Sequence, residues 1–240
     1  MKNKIAITLM AVAGLLGGSA SAQADDWVMT ITVDNQYDIY FGTPLVTTYH
    51  AGGDNNWFTV ETWNATGMAS TDYLYVATAS DHAVAQGFLG TFTNTTLGLT
   101  VNTGDPAFEV FPAGAYLQQI DPTWPAVWPA SLQPTQAQVD AAITFATLNG
   151  LWQPTSQLAG WTNAAHPGPW MHNMPGIPSN AMWIWHDSGT APGFGFPAPY
   201  GGWNHDEFLI FRVAGIAPEP TTAVLALAGG LTLLRRRFTR

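Results

Sequence analysis

The sequence contains no cysteine among its 240 residues, which excludes a disulfide framework, a CxxC redox pair and a thiol nucleophile. Basic residues are nearly as scarce, because six of the seven lysines and arginines lie in the two ends and the region 25–217 keeps only Arg212. That region carries fifteen acidic residues, a formal charge of −14. Such a surface repels phosphate backbones and anionic lipid headgroups. We therefore expect no nucleic-acid partner.

The first 24 residues have the order of a secretory signal peptide. The start, Met1–Lys4, is basic, Ile5–Leu16 is apolar, and small residues follow. This apolar segment is too short to form a stable membrane span. The motifs Ala-Ser-Ala and Ala-Gln-Ala place cleavage after Ala22 or after Ala24. The sequence therefore predicts that residues 1–24 are a signal peptide and that the protein is exported.

A second apolar segment lies near the other end of the chain, between a Pro-Glu-Pro box and an arginine cluster. Its fourteen residues, Thr221–Leu234, would form a helix of about 21 Å, shorter than the ~30 Å hydrocarbon layer. The arginines would lie at the inner headgroups by the positive-inside rule. We predict that residues 218–240 are a short hydrophobic helix that anchors the protein transiently in the inner membrane. The flanking motif residues are Pro218, Glu219, Pro220, Arg235, Arg236 and Arg237.

This arrangement resembles the PEP-CTERM sorting signal of bacteria in its box, its glycine-containing apolar helix and its terminal arginines. The resemblance implies that an exosortase, a membrane transpeptidase-like enzyme, recognises the tail and that the protein goes to the cell surface or the exopolysaccharide matrix. The box residues would then be substrate residues for that partner. An ordinary single-span tail anchor is the alternative.

Between the two ends, residues 25–217 form one predicted domain that is rich in strands. Trp27, Met29, Ile31 and Val33 alternate with a second, more polar set, which is the two-residue period of a strand. Further short runs follow without intervening helices at Tyr37–Phe41, Leu45–Tyr49, Trp57–Trp63, Tyr73–Thr78, Phe88–Thr93 and Leu97–Asn102. This spacing predicts an antiparallel β-sandwich. Two last strands close the domain, Met182–His186 and Phe208–Val213.

One helix is predicted within a segment of about residues 106–150, which we interpret as an insertion. Thr135 followed by Gln138 forms a capping box, and Asn149-Gly150 provides the stop. The Pro-, Trp- and Gly-rich stretch 151–180 that follows is predicted to be a loop. The helical residues expected on the buried face are Val139, Ala142, Ile143 and Ala146.

The run 34–46 is similar to the strand-and-turn of galactose-binding-like β-sandwiches, the jelly-roll modules found on many surface glycoproteins and glycoside hydrolases. The turn departs from that pattern, because Gly42-Thr43 stands where Asn-Gly is usual. The resemblance implies an all-β, antiparallel jelly-roll fold and says little about the ligand. Later features keep the family's order: Trp57–Trp63, Tyr73–Ala79, Gly87–Phe92, Gly160-Trp161, Pro169-Trp170, Trp183–Trp185 and Phe211-Arg212.

The eleven tryptophans offer aromatic faces that can stack on sugar rings. Trp27, Trp63, Trp183 and Trp185 fall on predicted strands, where core positions are expected. Five others lie in Pro- and Gly-rich loops, where a large exposed ring needs a use. For these five, packing against the core and ligand binding are both open. The candidate ligand-binding residues are Trp124, Trp128, Trp161, Trp170 and Trp203.

The sequence contains no recognisable catalytic motif. The six histidines lack the His-x-x-x-His helical spacing of a zinc site, and Gly-x-Ser-x-Gly and Ser-x-x-Lys motifs are absent. Asp206 and Glu207 are neighbours, so on a strand they would point to opposite faces and would not form a glycosidase pair. A hydrolase would have to use His186-Asp187 and 205–207 beside the last strands.

If the domain holds a cation, calcium fits best, because hard oxygen ligands are plentiful. Galactose-binding-like folds often hold a structural Ca²⁺ in a loop, although the spacing of an EF-hand is absent here. No other cofactor is expected. The candidate oxygen ligands are Asp25, Asp26, Asp34, Asp54, Asn55 and Asn56.

Arg212 is the single cation of the predicted domain. The alternation of Phe208–Val213 places its guanidinium on the same strand face as Phe208 and Ile210. A partly buried arginine must be paired. We therefore predict that Arg212 forms a structural ion pair with one of the acidic residues and that it is not a ligand residue.

Together these observations predict an exported, non-catalytic protein of the cell surface or extracellular matrix. Its expected partners are an exosortase and an extracellular polysaccharide. A structural matrix protein without a discrete ligand is one alternative. A carbohydrate-active or metal-dependent hydrolase is the other.

Overall fold

A computed structural model describes residues 24–79, 86–124, 133–165, 173–187 and 208–214. These residues are mostly β-structure, with two six-stranded antiparallel sheets and two helices. The strands are β1 Ala24–Asp34, β2 Gln36–Gly42, β3 Thr47–Asp54, β4 Glu61–Ala69, β5 Tyr73–Ala79, β6 Gly87–Asn94, β7 Leu99–Asn102, β8 Phe108–Pro112, β9 Gln153–Pro154, β10 Ser156–Thr162, β11 Met182–Trp185 and β12 Phe208–Val213. The helices are α1 Gly114–Ile120 and α2 Gln136–Leu148.

The first sheet has the strand order β10-β11-β6-β1-β4, and β7 also pairs with β6. The second has the order β3-β2-β5-β12-β8-β9. All the pairings are antiparallel. The two sheets pack face to face, which confirms the predicted all-β sandwich.

The core between the sheets is built by the alternation that the sequence shows. The inner residues of β1, from Trp27 to Val33, are buried there, as predicted. Phe88 of the first sheet lies 5.0 Å from Phe211 of the second sheet, measured between ring centroids. Burying each such ring stabilises the fold by about 1.5–3 kcal/mol. Trp183 and Trp185 are fully buried in the same core.

The second sheet also buries its other face, beneath α2. Phe208 and Ile210 lie on that face, whereas Leu209 and Phe211 point into the core between the sheets, as the period of β12 predicts. The helical residues that cover the face are Val139, Ala142, Ile143 and Ala146, also as predicted. The domain therefore has three layers, two sheets and one helical layer.

The predicted capping box is present at the start of α2. The Thr135 hydroxyl accepts a hydrogen bond from the Gln138 amide, and the Thr135 amide donates to Gln138 Oε1 at 2.9 Å. Reciprocal bonds of this kind satisfy two backbone N–H groups that the start of a helix would otherwise leave unpaired. The position of α2 over the second sheet is thus fixed by local sequence and by its apolar face.

The prediction of a loop over 151–180 was wrong in part, because β9 and β10 lie within that range. Ser156 pairs with Trp185, so β10 is held by a partner that is distant in sequence. The segment 106–150 contains a strand, β8, and a second helix, α1, in addition to the one helix that was predicted there. The strand expected from Trp57 begins only at Glu61, because Thr59 turns back to the Asn56 carbonyl.

The predicted signal peptide, apart from Ala24, and the predicted sorting segment lie outside the described residues. Within the part of the chain that the structure describes, no helix has the length and hydrophobicity needed to cross a membrane.

Candidate functional site

An open cleft of about 300 Å³ lies along the β2–β3 hairpin, near the start of α2. Its volume is at the lower end of the range of small-ligand sites. Asp38 lies on the outer face of the second sheet. It is two residues before Tyr40 on the same strand and so shares a face with Tyr40, which packs into the helical layer. We call this space the β2–β3 cleft. Its lining residues are Asp38, His50, Gly53, Asp54, Asn55 and Gln133.

A hydrogen bond between Asp38 and His50 forms one wall of the cleft. Asp38 Oδ1 and His50 Nε2 lie 2.9 Å apart. The His50 ring also packs against the Tyr40 ring, with the centroids 4.9 Å apart. A β-bulge makes this possible, since Ile39 pairs with Gly52 but Tyr40 pairs with His50. The hydrogen bond and the ring contact together fix the orientation of the imidazole.

Gly53 is needed where the backbone passes Asp38. A Cβ atom at this position would lie 2.5 Å from Asp38 Oδ1 and 2.5 Å from the Tyr37 carbonyl oxygen. No side chain tolerates contacts this short, so the carboxylate would have to move. The absence of a side chain therefore keeps Asp38 in place beside His50.

Burial raises the pKa of the Asp38 carboxyl above its ordinary range, and the hydrogen bond and charge of His50 oppose that rise only in part. The side chain is 15% exposed. Ionisation of Asp38 therefore costs free energy in this environment. A ligand that donated hydrogen bonds to this carboxylate would reduce the cost.

A polar network lies on the other side of the hairpin and reaches the cleft through Asp54. Tyr37 donates to Glu61 Oε2 at 3.0 Å, and Trp63 Nε1 donates to the Tyr37 hydroxyl at 3.0 Å. The Thr59 hydroxyl donates to the other Glu61 oxygen. Burial raises the pKa of Glu61 above its ordinary range, the hydrogen bonds from Thr59 and Tyr37 oppose that rise in part, and the negative charge of Asp54 adds to it. These hydrogen bonds therefore hold Glu61 in place near the acidic rim of the cleft.

The cleft offers carboxylates and side-chain amides to a ligand. The carboxylates of Asp38 and Asp54 accept hydrogen bonds, and the side-chain amides of Asn55 and Gln133 both donate and accept. These groups come from β2, from the end of the β2–β3 hairpin and from the residues before α2. Such a set suits a ligand with several neighbouring hydroxyl or amine groups.

The residues considered for calcium are not brought into one site. Asp54 and Asn55 line the cleft, whereas Asn56 Oδ1 accepts from the amide of Phe58. The other three acids lie on β1, Asp25 and Asp26 at its start and Asp34 at its end, roughly 30 Å apart at the rise of an extended strand. Among the described residues, no group of three or more His, Asp or Glu is placed to hold a metal ion.

Two of the five candidate tryptophans, Trp124 and Trp161, lie within the described residues, and they belong to different layers. Trp124 is 6% exposed, and its ring meets Phe208 edge-on with the centroids 4.6 Å apart. In this position it presents no open face to a sugar. Trp161 lies on β10 and packs, half-buried, against the core between the sheets. Trp128, Trp170 and Trp203 lie outside the described residues.

The residues that a hydrolase would use are described only in part. His186, just after β11, is 7% exposed, and the backbone amide of Asp187 donates to Ser156 Oγ at 2.8 Å. Residues 205–207 lie outside the described residues. The cleft residues Asp38, His50 and Gln133 were not among the sequence candidates. The only feature of the sequence that relates to these residues is that Asp38 and Tyr40, two positions apart on a predicted strand, share a face.

Arg212 has the ion pair that was predicted for it. Its Nη2 lies 2.7 Å from Glu109 Oε2, and Glu109 is the direct partner of Arg212 across β8 and β12. The guanidinium also lies over two aromatic rings, 4.1 Å from the centroid of Trp152 and 5.1 Å from that of Tyr73. These contacts hold the Arg212 guanidinium within the helical layer and away from the cleft.

Comparison with known proteins gives no match: no family model, no curated protein and no solved structure matches this chain. The cleft is therefore interpreted from its own geometry and chemistry.

Proposed function

We propose that this protein is an exported, exosortase-sorted protein of the cell surface or extracellular matrix, and that its sandwich is a galactose-binding-like jelly-roll module that binds carbohydrate without catalysis. The signal-like order of residues 1–24 and the Pro-Glu-Pro, apolar and arginine order of residues 218–240 support the sorting part. The cleft supports the binding part.

The observation that carries the binding function is the convergence of planar polar side chains around an open cleft. Two carboxylates and two amides line about 300 Å³ of accessible space. Sugars present adjacent hydroxyl groups that donate to carboxylates and exchange paired hydrogen bonds with amides. The hydrogen bond between Asp38 and His50 holds the Asp38 carboxylate in place before a ligand arrives, which reduces the ordering cost of binding.

The charge of the domain narrows the ligand class. The region 25–217 carries a formal charge of −14, and two carboxyl groups, those of Asp38 and Asp54, line the cleft. Anionic polysaccharides are disfavoured by this field. The ligand is therefore a neutral or amine-bearing glycan.

The experiment is a polysaccharide binding assay on the purified full-length secreted chain. Dextran, chitosan and alginate are immobilised as a neutral, an amine-bearing and an anionic polymer. We expect binding to dextran or chitosan and none to alginate. Gln133→Ala should weaken that binding about tenfold, the effect of losing one to two hydrogen bonds. Gln118→Ala, at an exposed site on α1, is the matched control and should bind like the parent.

Absence of binding to all three polymers would reject carbohydrate binding and favour a structural matrix protein. Equal losses with Gln133→Ala and Gln118→Ala would reject the cleft as the site.

A further inference from the structure

Four large apolar side chains are exposed close to one another at one end of the domain. Leu148 is 72% exposed, Leu45 and Val46 are each 40% exposed, and Leu151 is 38% exposed. We call these four residues the exit patch. Soluble domains expose single apolar residues routinely, but a grouped set marks an interaction surface.

Hydrogen bonds hold the patch together. The Thr144 hydroxyl donates to the Leu45 carbonyl at 2.6 Å, and the Thr147 hydroxyl donates to the Pro44 carbonyl at 2.8 Å. These two bonds attach the β2–β3 turn to the last turns of α2. Leu148 lies four residues after Thr144, so it projects from the same helix face. The patch is therefore a fixed surface built from a turn and a helix end.

The last described strand ends beside this patch. In the second sheet Tyr73 pairs with Gly42, the residue that precedes the β2–β3 turn. The last residue of β12, Val213, pairs with Leu74 in the same sheet. The Arg212 guanidinium lies 3.5 Å from the Thr147 hydroxyl. The chain therefore leaves the domain at the end where the patch lies.

The sequence that follows is a short tether to the apolar segment. Only six residues, 215–220, separate Ala214 from Thr221. Six residues span at most about 22 Å when fully extended. If the apolar segment is held in the inner membrane, the exit end of the domain cannot move farther than this from the bilayer surface.

We propose that the exit patch contacts the interface of the phospholipid bilayer while the sorting tail is membrane-held, so that this end of the sandwich faces the membrane. The inference rests on the membrane-held tail of the proposed function. A short tether gives an effective concentration in the millimolar range, so four leucine and valine side chains suffice for a contact that the free domain would not make. Trp152, whose Nε1 donates to the Thr147 hydroxyl, and Tyr73, which pairs with Gly42, are half-buried beside the patch, as aromatic residues are at membrane interfaces.

The contact is apolar and not electrostatic. The domain is acidic, so anionic headgroups repel it and zwitterionic lipids provide the appropriate surface. The same orientation leaves the β2–β3 cleft, at the Tyr37–Asp54 end of the hairpin, directed away from the membrane and toward extracellular polymer.

The test uses the full chain with its tail in phosphatidylcholine vesicles. Because the sequence has no cysteine, one cysteine for a spin label is introduced in each of three variants: Leu148→Cys in the patch, Phe58→Cys as the control and Ala226→Cys in the tail. Phe58 is 61% exposed, follows Asp54, and marks the opposite end. Collisions with oxygen indicate a lipid environment, and collisions with a water-soluble nickel chelate indicate water.

We expect the labels at 226 and 148 to shift toward oxygen when vesicles are added, and the label at 58 to stay accessible to nickel. A lipid-type label at 226 with a water-type label at 148 would overturn the orientation and leave the anchor intact. A water-type label at 226 would overturn the membrane-held tail itself. Protection of the label at 148 in the absence of vesicles would also overturn the proposal, because it would show that the tail or a second copy of the chain covers the patch. These two cases differ in one respect: protection by a second copy depends on protein concentration, and protection by the tail does not.

Discussion

Arg212 places two guanidinium nitrogens on a single oxygen of Glu109, with Nε at 2.8 Å and Nη2 at 2.7 Å from Oε2. The other faces of the guanidinium lie against aromatic rings. The arrangement explains how a domain with one cation keeps that cation in a mostly apolar layer.

Arg212→Met should lower the free energy of unfolding by about 2 kcal/mol, from the loss of the ion pair and two cation–π contacts. The loss is moderate because the Glu109 side chain is 42% exposed and can be hydrated when it is left alone. Glu109→Gln should cost less, since the aromatic contacts remain. Urea unfolding measures both. Unchanged stability with loss of glycan binding would instead place Arg212 in the ligand site.

The raised pKa values of three carboxyl groups should make the stability of the protein fall as the pH rises above about 4. Burial raises the folded-state pKa of Asp38, Glu61 and Asp72, so the folded state binds more protons than the unfolded state above about pH 4. The stability is therefore greatest below the unfolded-state pKa values and is lost as the pH passes through the raised ones. Asp38→Asn should flatten this dependence in chemical denaturation at a series of pH values. A stability that rises with pH would contradict the assignment.

Gly53→Ala should destabilise the fold by about 1–3 kcal/mol, the usual cost of forcing extra volume into a packed site. It should also weaken glycan binding, because the new methyl group displaces the Asp38 carboxylate. Gly114→Ala is the matched control: its Cβ would come no closer than 3.8 Å to Phe208. Thermal unfolding and the polymer assay provide the two readouts. Identical behaviour of the two variants would show that the close approach at Gly53 has no role.

The tail should be processed only where an exosortase is present. A reporter fused to residues 215–240 is expected to remain membrane-held in a host without the enzyme and to be shortened in a host that has it. Mass spectrometry of the reporter measures the length of the tail. Pro218→Ala with Pro220→Ala should prevent the shortening, and equal tail lengths in the two hosts would argue for an ordinary anchor.

The sequence predicted the elements whose signals are local. The faces of Phe208–Val213 follow from a two-residue period, and the start of α2 follows from Thr135 and Gln138. Both signals lie within a few residues of the structure they specify, so they could be recognised without knowledge of the fold.

The elements and contacts that were missed depend on distant partners. Ser156–Thr162 has turn-like composition and becomes a strand only through pairing with β11. The Asp38–His50 contact depends on a bulge that omits Ala51 from the register of the hairpin. Neither the pairing partner nor the bulge leaves a pattern in the local sequence, so the cleft could not be predicted before the fold was known.

The position of β12 inside the second sheet has a consequence for biogenesis. Strand β12 lies between β5 and β8. The Thr78 hydroxyl donates a hydrogen bond to the Leu209 carbonyl, and these two residues are 131 positions apart in the sequence. Until residues 208–213 have emerged, β5 and β8 present unpaired edges, and the sandwich cannot close. The chain should therefore remain loosely folded during most of its synthesis, which suits transport through a narrow secretion channel, and folding should be completed only after β12 has crossed.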